Sequence, residues 1–244
     1  GSDVADNLAE NVGWPVTYFD HYANPIAKPV FNKAIPDGLT ASQVINNYIN
    51  VVGGRDLLES VNTLVQKADV TIPAPFKPQA TIKQMVPNKY SMKMEANMNG
   101  QTMKLGGMSF DGETGYNEGP QGRNTLDEKV INDLKAVKGI FPELYYSEDE
   151  IELISINSID FKDAYKVKIT EGEKVSYRYY SVDSSLLLSG EEQDDNNNIT
   201  SQNYGDYRDV NGIKFPFYID IPSQKLELNI TEILINEELK DSDF

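Results

Sequence analysis

The chain offers few residues from which a reactive centre could be built. His21 is the single histidine, and there is no cysteine. A zinc peptidase of the H-E-x-x-H type needs two histidines on one helix face, and a serine triad needs a histidine beside its nucleophile. His21 lies in a proline-rich stretch without a nucleophile elbow, so we interpret it as a surface or packing residue. The sequence therefore predicts a protein that is not an enzyme, with no catalytic residue and no metal site.

Carboxylates are the remaining groups that could do chemistry. The densest set stands beside three asparagines at an expected hairpin tip and consists of Glu191, Glu192, Asp194 and Asp195. Such oxygens could bind calcium weakly, but their spacing does not fit an EF-hand, and we interpret the set as a solvated turn. A paired-carboxylate hydrolase stays open as an alternative. No glycine-rich phosphate loop of the P-loop or Rossmann type is present, so no cofactor is predicted.

The methionines are the most unusual feature of the composition. All six lie between Met85 and Met108. Methionine is flexible and polarizable, which suits surfaces that accept varied apolar partners. We predict an apolar ligand-binding sheet face, with an irregular core as the alternative. The predicted ligand-binding residues are Met92, Met94, Met98, Met103 and Leu105.

The net charge narrows the choice of partners. With 38 acidic and 22 basic residues, the formal charge is −16 at pH 7. A surface this acidic repels phosphate backbones, so we do not expect nucleic acid as a partner. No run of 18 apolar residues is present, so no transmembrane segment is predicted.

Two helical segments interrupt a chain that otherwise alternates like β-strands. Thr40 and Gln43 form an expected capping box, and an apolar stripe from Val44 to Val52 follows until Gly53-Gly54 end the helix. Thr125 and Glu128 predict a second capping box. The stripe expected after it contains Val130, Ile131, Leu134 and Val137. Both helices should lie with these stripes on a sheet.

Period-two patterns and turn residues predict the strands. The pair Asn99-Gly100 suits a type I′ hairpin in which Met98 pairs with Gln101, Ala96 with Met103 and Met94 with Leu105. A bulge at Gly106-Gly107 would keep Met108 and Phe110 off the polar face. Tyr165, Val167 and Ile169 alternate with polar residues, and Val175, Tyr177 and Tyr179 continue the alternation.

A last hairpin is predicted to turn at Asn211-Gly212. The strand after it has apolar residues on one face, which are Ile213, Phe215, Phe217, Ile219 and Ile221. The next strand should pack beside it with Leu226, Leu228 and Ile230 on the same face. The predicted fold class is mostly β (α+β): a strongly curved antiparallel sheet of roughly ten or eleven strands, a half-barrel covered by a few helices.

Two stretches resemble the β domain of outer-membrane lipoprotein-sorting (carrier) proteins. The first runs from Ala41 to Leu64 and includes Gly53-Gly54 and Leu58-Glu59-Ser60-Val61. The second runs from Asp206 to Pro216 and is followed by Ile235-Asn236 and the ending Asp241-Ser242-Asp243-Phe244. The resemblance implies a curved antiparallel half-barrel closed by helices and a periplasmic location, with association with the outer membrane as an alternative. Its motifs are structural, so no ligand-binding residue carries over.

The lead-in adds a second resemblance. Residues 1–38 contain Trp14-Pro15 and several further prolines, and they are similar to the segment that precedes such a domain at the C-terminus of bacterial insulinase-like zinc peptidases. We therefore expect an extended lead-in over residues 1–38 and a half-barrel domain over residues 39–244. The resemblance implies upstream peptidase lobes as partners, although this chain lacks the zinc motif.

Two functional hypotheses follow from these observations. The first is a non-catalytic periplasmic accessory or binding domain that belongs to an insulinase-like peptidase or is a stand-alone relative. The alternative is a carrier that shelters an acyl chain or lipoprotein in an apolar half-barrel cavity. A continuous apolar cavity would favour the carrier, whereas an H-x-x-E-H motif encoded upstream would favour the accessory domain.

Overall fold

The computed structural model describes residues 17–19, 25–26, 33–98, 100–193 and 198–244, and of residues 18, 19, 26 and 98 it describes the backbone alone. The chain divides into two compact units, Gly1–Ala34 and Ile35–Phe244. In the first unit, β1 (Tyr18–Phe19) pairs with β2 (Pro25–Ile26). His21, Trp14, Asp194 and Asp195 lie outside the described residues.

The second unit contains one open, curved, antiparallel sheet of 13 strands. The predicted class is confirmed, with more strands than the ten or eleven expected. The strands are β3 (Thr63–Thr71), β4 (Gln79–Met85), β5 (Lys89–Met98), β6 (Gln101–Phe110), β7 (Gly115–Gly119), β8 (Gly122–Thr125), β9 (Ile151–Ile159), β10 (Lys162–Glu171), β11 (Lys174–Ser181), β12 (Leu187–Gln193), β13 (Ile199–Val210), β14 (Ile213–Ile221) and β15 (Leu226–Ile235).

The order of the strands shows two meanders joined side by side. From one edge to the other the sheet runs β8-β7-β6-β5-β4-β3 and then β15-β14-β13-β12-β11-β10-β9. Within each meander every strand pairs with its neighbour in sequence, as short antiparallel connections require. The two meanders meet where Leu64 of β3 pairs with Ile235 of β15.

The first helix, α1 (Ala41–Val52), provides the main cover of the sheet. The predicted capping box is confirmed: the Thr40 hydroxyl accepts from the Gln43 backbone N–H at 3.2 Å, and the Gln43 side-chain oxygen accepts from the Thr40 N–H at 3.0 Å. The predicted stripe is also confirmed, since its residues are buried: Val44, Ile45, Tyr48, Ile49 and Val52. We call the sheet face on which α1 packs the inner face. A short helix, α2 (Arg55–Glu59), follows.

The inner face carries one hydrophobic core drawn from both meanders. Leu64, Ala68 and Val70 of the first meander and Phe215, Leu228 and Ile230 of the second belong to the same buried cluster. The predicted match between the apolar faces of the last two strands is confirmed, because Ile219 pairs with Leu228 and Ile221 with Leu226.

The methionine hairpin forms with one change in register. Met98 pairs with Gln101 and Ala96 with Met103 as predicted, but Met94 pairs with Gly106 and not with Leu105. The bulge therefore lies at Leu105, one residue before the predicted position. It brings Met108 opposite Met92 on the inner face. It also brings Gly107 against β5, where a β-carbon would lie 2.5 Å from the Met92 carbonyl oxygen.

The outer face of the first meander is covered by the end of the chain. Lys83 forms an ion pair with Asp243, and Lys89 forms one with Asp241 at 2.6 Å. Both lysines alternate with inner-face residues of β4 and β5, so residues 237–244 run across the outer face. Phe244 is buried at the end of this C-terminal segment.

Candidate functional site

The predicted methionine site is only partly a surface. Met92 and Met94 are half-buried on the inner face, and Met94 packs against the core. Met103 keeps 45% of its surface exposed, and Leu105 is half-buried in the bulge. The side chain of Met98 lies outside the described residues. That these residues bind a ligand remains a prediction.

The second predicted helix differs most from expectation. The helix α3 (Glu128–Ala136) begins after Asp127, which makes no side-chain cap, so the capping box of Thr125 and Glu128 is wrong. None of its residues is buried, and Val130 and Val137 are 36% and 44% exposed. The apolar stripe exists in the sequence, but the sheet does not fully cover it.

Two clefts flank the segment that follows α3. The larger has a volume of about 210 Å³, and its lining includes Val137, Gly139, Tyr146, Lys174 and Arg178. The smaller has about 80 Å³, and its lining includes Tyr90, Leu134, Val137 and Gly139. Because Val137 and Gly139 line both clefts, this short segment separates them.

The smaller cleft leads toward the methionines. Tyr90, Met92 and Met94 alternate along β5 on one face, and Tyr90 is opposite Phe110 in the register. Phe110 is fully buried. The apolar strand surface that was predicted from the methionines therefore begins at the wall of this cleft.

The larger cleft has a polar floor that the sequence pattern does not predict. Arg178 of β11 pairs with Val167 and Gly190, which places its side chain on the inner face, where only 16% of it is exposed. A β-carbon on Gly190 would lie 3.3 Å from an Arg178 guanidinium nitrogen, so the glycine makes room for the side chain. The guanidinium donates to the Tyr177 carbonyl at 3.1 Å and lies 3.5 Å from Glu192.

A buried carboxyl accompanies this arginine. Glu143 is 7% exposed in the short 3-10 turn Pro142–Leu144, and its Oε1 lies 3.5 Å from the Tyr180 hydroxyl. Burial raises the pKa of Glu143, and the nearby Arg178 opposes that rise. A carboxyl that keeps its proton more readily neutralises a cation less completely.

Tyrosines complete this polar part of the interior. The rings of Tyr48 on α1 and Tyr180 lie 5.2 Å apart, and Tyr207 donates to the Leu187 carbonyl at 2.8 Å. Burial raises the pKa values of Tyr48 and Tyr180, and the Glu143 carboxyl adds to that rise. The phenols therefore stay neutral at physiological pH and act as hydrogen-bonding groups.

The alternation of β11 explains why the buried polar residues around Arg178 were not predicted from the sequence. Val175, Tyr177 and Tyr179 were expected to continue the pattern of β10. In the structure, Tyr177 and Tyr179 pair with Lys168 and Lys166 on the outer face. The residues of β11 that point inward are Ser176, Arg178 and Tyr180. Because these residues carry polar groups, the sequence pattern does not identify their side of the strand as the inner face. The apolar residues of β10 do indicate the inner face. Val167 and Ile169 point inward, so their pairing partners on β11, Arg178 and Ser176, point inward as well.

Within the part of the chain that the structure describes, no group of three or more histidine or carboxylate side chains is arranged to bind a metal ion. Among the same residues, no helix combines the length and the apolar character needed to cross a bilayer.

Comparison with known proteins supports the fold. No family model matches the sequence, and no curated protein matches it. Among solved structures, a LolA superfamily protein from Nitrosomonas europaea is similar at 12% identity and a TM-score of 0.55, covering 85% of this chain and 98% of its own.

Two further structures resemble the chain at 9% identity. A DUF1329 family protein from Desulfovibrio piger has a TM-score of 0.51 and covers 82% of this chain and 94% of its own. A domain described as an outer membrane lipoprotein-sorting protein, from Vibrio parahaemolyticus, has a TM-score of 0.50 and covers 75% and 88%. The chain thus has the lipoprotein-sorting-like fold that its sequence resembles.

Proposed function

We propose that this protein is a non-catalytic, carrier-type domain that binds an apolar chain, such as a lipid acyl group or the lipid part of a lipoprotein, between its inner sheet face and the segment that contains α3. The observation that carries the proposal is the incomplete cover of the inner face. Helix α1 buries six residues on the sheet, whereas α3 buries none and has a cleft on either side of the segment that follows it.

The size of the clefts indicates how binding would proceed. Each is smaller than the roughly 300 Å³ at which ligand pockets usually begin. A ligand therefore needs α3 and residues 137–139 to move away from β5. This movement costs little free energy, because the apolar side chains of α3 are already exposed and little buried apolar surface is lost when the helix moves away from the sheet.

A single label tests this proposal. The chain has no cysteine, so a Val130→Cys variant can carry one environment-sensitive fluorophore on α3. We expect saturable emission changes on titration with dodecanoate, and saturable binding of a fluorescent fatty acid to the unlabelled protein. A label at Ile199→Cys on β13 should not respond. If no fatty acid binds saturably, the carrier proposal is wrong.

The proposed location is the periplasm, in keeping with the kind of protein that the fold resembles. An accessory role beside an insulinase-like zinc peptidase is supported by the sequence of the lead-in alone. The gene upstream of Gly1 tests that role, because it should encode an H-x-x-E-H motif. If a signal peptide were encoded directly before Ser2, the accessory role would be wrong, and the carrier proposal would be unaffected.

A further inference from the structure

We infer that the ligand is an amphiphile with an anionic head, a carboxylate or phosphate, which Arg178 and Lys174 bind in the larger cleft while the apolar tail passes beneath Val137–Gly139 onto β5. This inference rests on the proposed carrier function and specifies its ligand. It follows from the position of the methionines on β5 and β6 of the first meander and of Arg178 and Tyr180 on β11 of the second.

The cations of the larger cleft are suited to a ligand anion. Arg178 and Lys174 both line it, and both approach the Glu192 carboxylate, at 3.5 Å and 3.7 Å. Among the described residues, the Arg178 guanidinium donates one hydrogen bond, to the Tyr177 carbonyl, and its ion-pair partner is the Glu192 carboxylate. A guanidinium offers five donors in a planar fork, which matches the oxygens of a carboxylate or phosphate.

Glu192 pairs with the two cations that we assign to the ligand head. Its side chain is 50% exposed and lies near the end of β12, so it can leave the two cations at small cost. A mostly buried arginine is costly unless its charge is compensated. The Glu143 carboxyl keeps its proton more readily and therefore compensates the Arg178 charge less completely. Glu192 provides the compensating charge in the free protein, and the ligand head provides it in the complex.

The lining also explains why the head must be small and the tail apolar. Asp133, Glu171 and a third cation, Lys138, line the larger cleft as well. Because of the two carboxylates, an anion is attracted most strongly where it lies close to Arg178 and Lys174. Beyond Val137 and Gly139 the smaller cleft is lined by apolar side chains that favour a methylene chain, beside the polar residues Gln84, Asn88 and Lys89. The apolar residues are Tyr90, Leu134, Ile140 and Met85.

Three ligands of equal tail length test the inference on the labelled protein: dodecanoate, dodecyl phosphate and 1-dodecanol. We expect at least one anionic ligand to bind about tenfold more tightly than the alcohol, as a charge-assisted hydrogen bond provides. The comparison of the two anions identifies which head the cleft accepts.

Variants locate the head. Lys174→Gln and Arg178→Gln should weaken binding of the preferred anion severalfold and leave binding of 1-dodecanol unchanged. Lys168→Gln removes the same charge from the outer face of β10 and should change neither. Glu192→Gln should strengthen anion binding, because it removes the competing carboxylate. Lys174 and Glu192 are about half exposed, so these two variants keep the test valid if Arg178→Gln does not fold.

The outcomes separate this inference from the function on which it rests. If all three ligands bind with equal affinity and Lys174→Gln has no effect, the head site is wrong while the carrier function stands. If none binds, the carrier function itself is wrong.

Discussion

The Tyr180 hydroxyl lies 3.5 Å from the Oε1 atom of Glu143, and both side chains are buried on the inner face. This pair makes the folded protein sensitive to pH. Burial raises the pKa of Glu143, so the folded state binds the proton more tightly than the unfolded chain does. Its contribution to stability is therefore most favourable at low pH and declines as pH rises above the ordinary glutamate value of 4.5.

Replacing Glu143 by Gln should remove this decline, because an amide does not ionise. We expect the free energy of unfolding of the variant, relative to that of the native protein, to increase from pH 4.5 to pH 7.5. Urea unfolding at several pH values measures it. Glu173→Gln, at an exposed turn, is the control and should show a small, constant difference. A constant difference for Glu143→Gln would contradict the prediction.

The C-terminal segment should respond to pH in the opposite direction. The hydrogen bond from Lys83, followed by the one from the Lys240 N–H, lowers the pKa of Asp243. A lowered pKa contributes stability that is present above the ordinary value of 3.8 and is lost as pH falls. We expect Asp243→Asn to cost up to about 1 kcal/mol at pH 7, as partly exposed ion pairs do, and less at pH 3.

Asp241→Asn is the matched control for that variant. Asp241 pairs with Lys89 but is 90% exposed, so its loss should cost less than the loss of Asp243. Urea unfolding at pH 7 and pH 3 measures both variants. Equal costs that do not change with pH would show that the C-terminal segment is not held by the Lys83–Asp243 pair.

The β5–β6 hairpin depends on the absence of a side chain at Gly107. A β-carbon there would lie 2.5 Å from the Met92 carbonyl oxygen, which belongs to the backbone and cannot rotate away. We expect Gly107→Ala to destabilise the protein by about 1–3 kcal/mol in urea unfolding. Gly119→Ala in β7, where no atom lies within 4 Å of the added carbon, should have little effect.

The methionine face should contribute to ligand binding through its apolar surface. Met94 is half-buried and packs against the core, so Met94→Asn places an amide where a methylene chain would lie. We expect about a tenfold loss of dodecanoate affinity, because an unpaired amide is costly to bury. Met94→Leu conserves volume and should retain binding. Unchanged affinity in a folded Met94→Asn protein would exclude this surface from the site.

The elements with a single apolar face were predictable from the sequence. Helix α1 has a capping box and one unbroken stripe, and the hairpin at Asn211-Gly212 has apolar residues on alternate positions only. In both cases local propensity and tertiary burial agree, so the pattern was sufficient to place Ile219 and Leu228 on the same face of the sheet. The general fold class was accessible for the same reason.

The candidate site was not predictable in this way because its polar residues face inward. Arg178 and Tyr180 occupy positions that a burial pattern assigns to solvent, and their burial depends on Gly190 and on Tyr48 from a distant helix. The stripe of α3 failed for the converse reason. Its apolar residues have the correct spacing, but α3 does not pack closely enough on the sheet to bury them. Neither the inward position of Arg178 and Tyr180 nor the exposure of the α3 stripe can be deduced from the local sequence.

The division of the sheet into two meanders has a consequence for how the chain folds. Eleven of the twelve joins between neighbouring strands link strands that are consecutive in sequence and can form early. The join of β3 to β15 spans about 170 residues, as the pairing of Leu64 with Ile235 shows, and closing that loop is entropically slow. Mutations in this seam should slow folding more than comparable mutations inside either half.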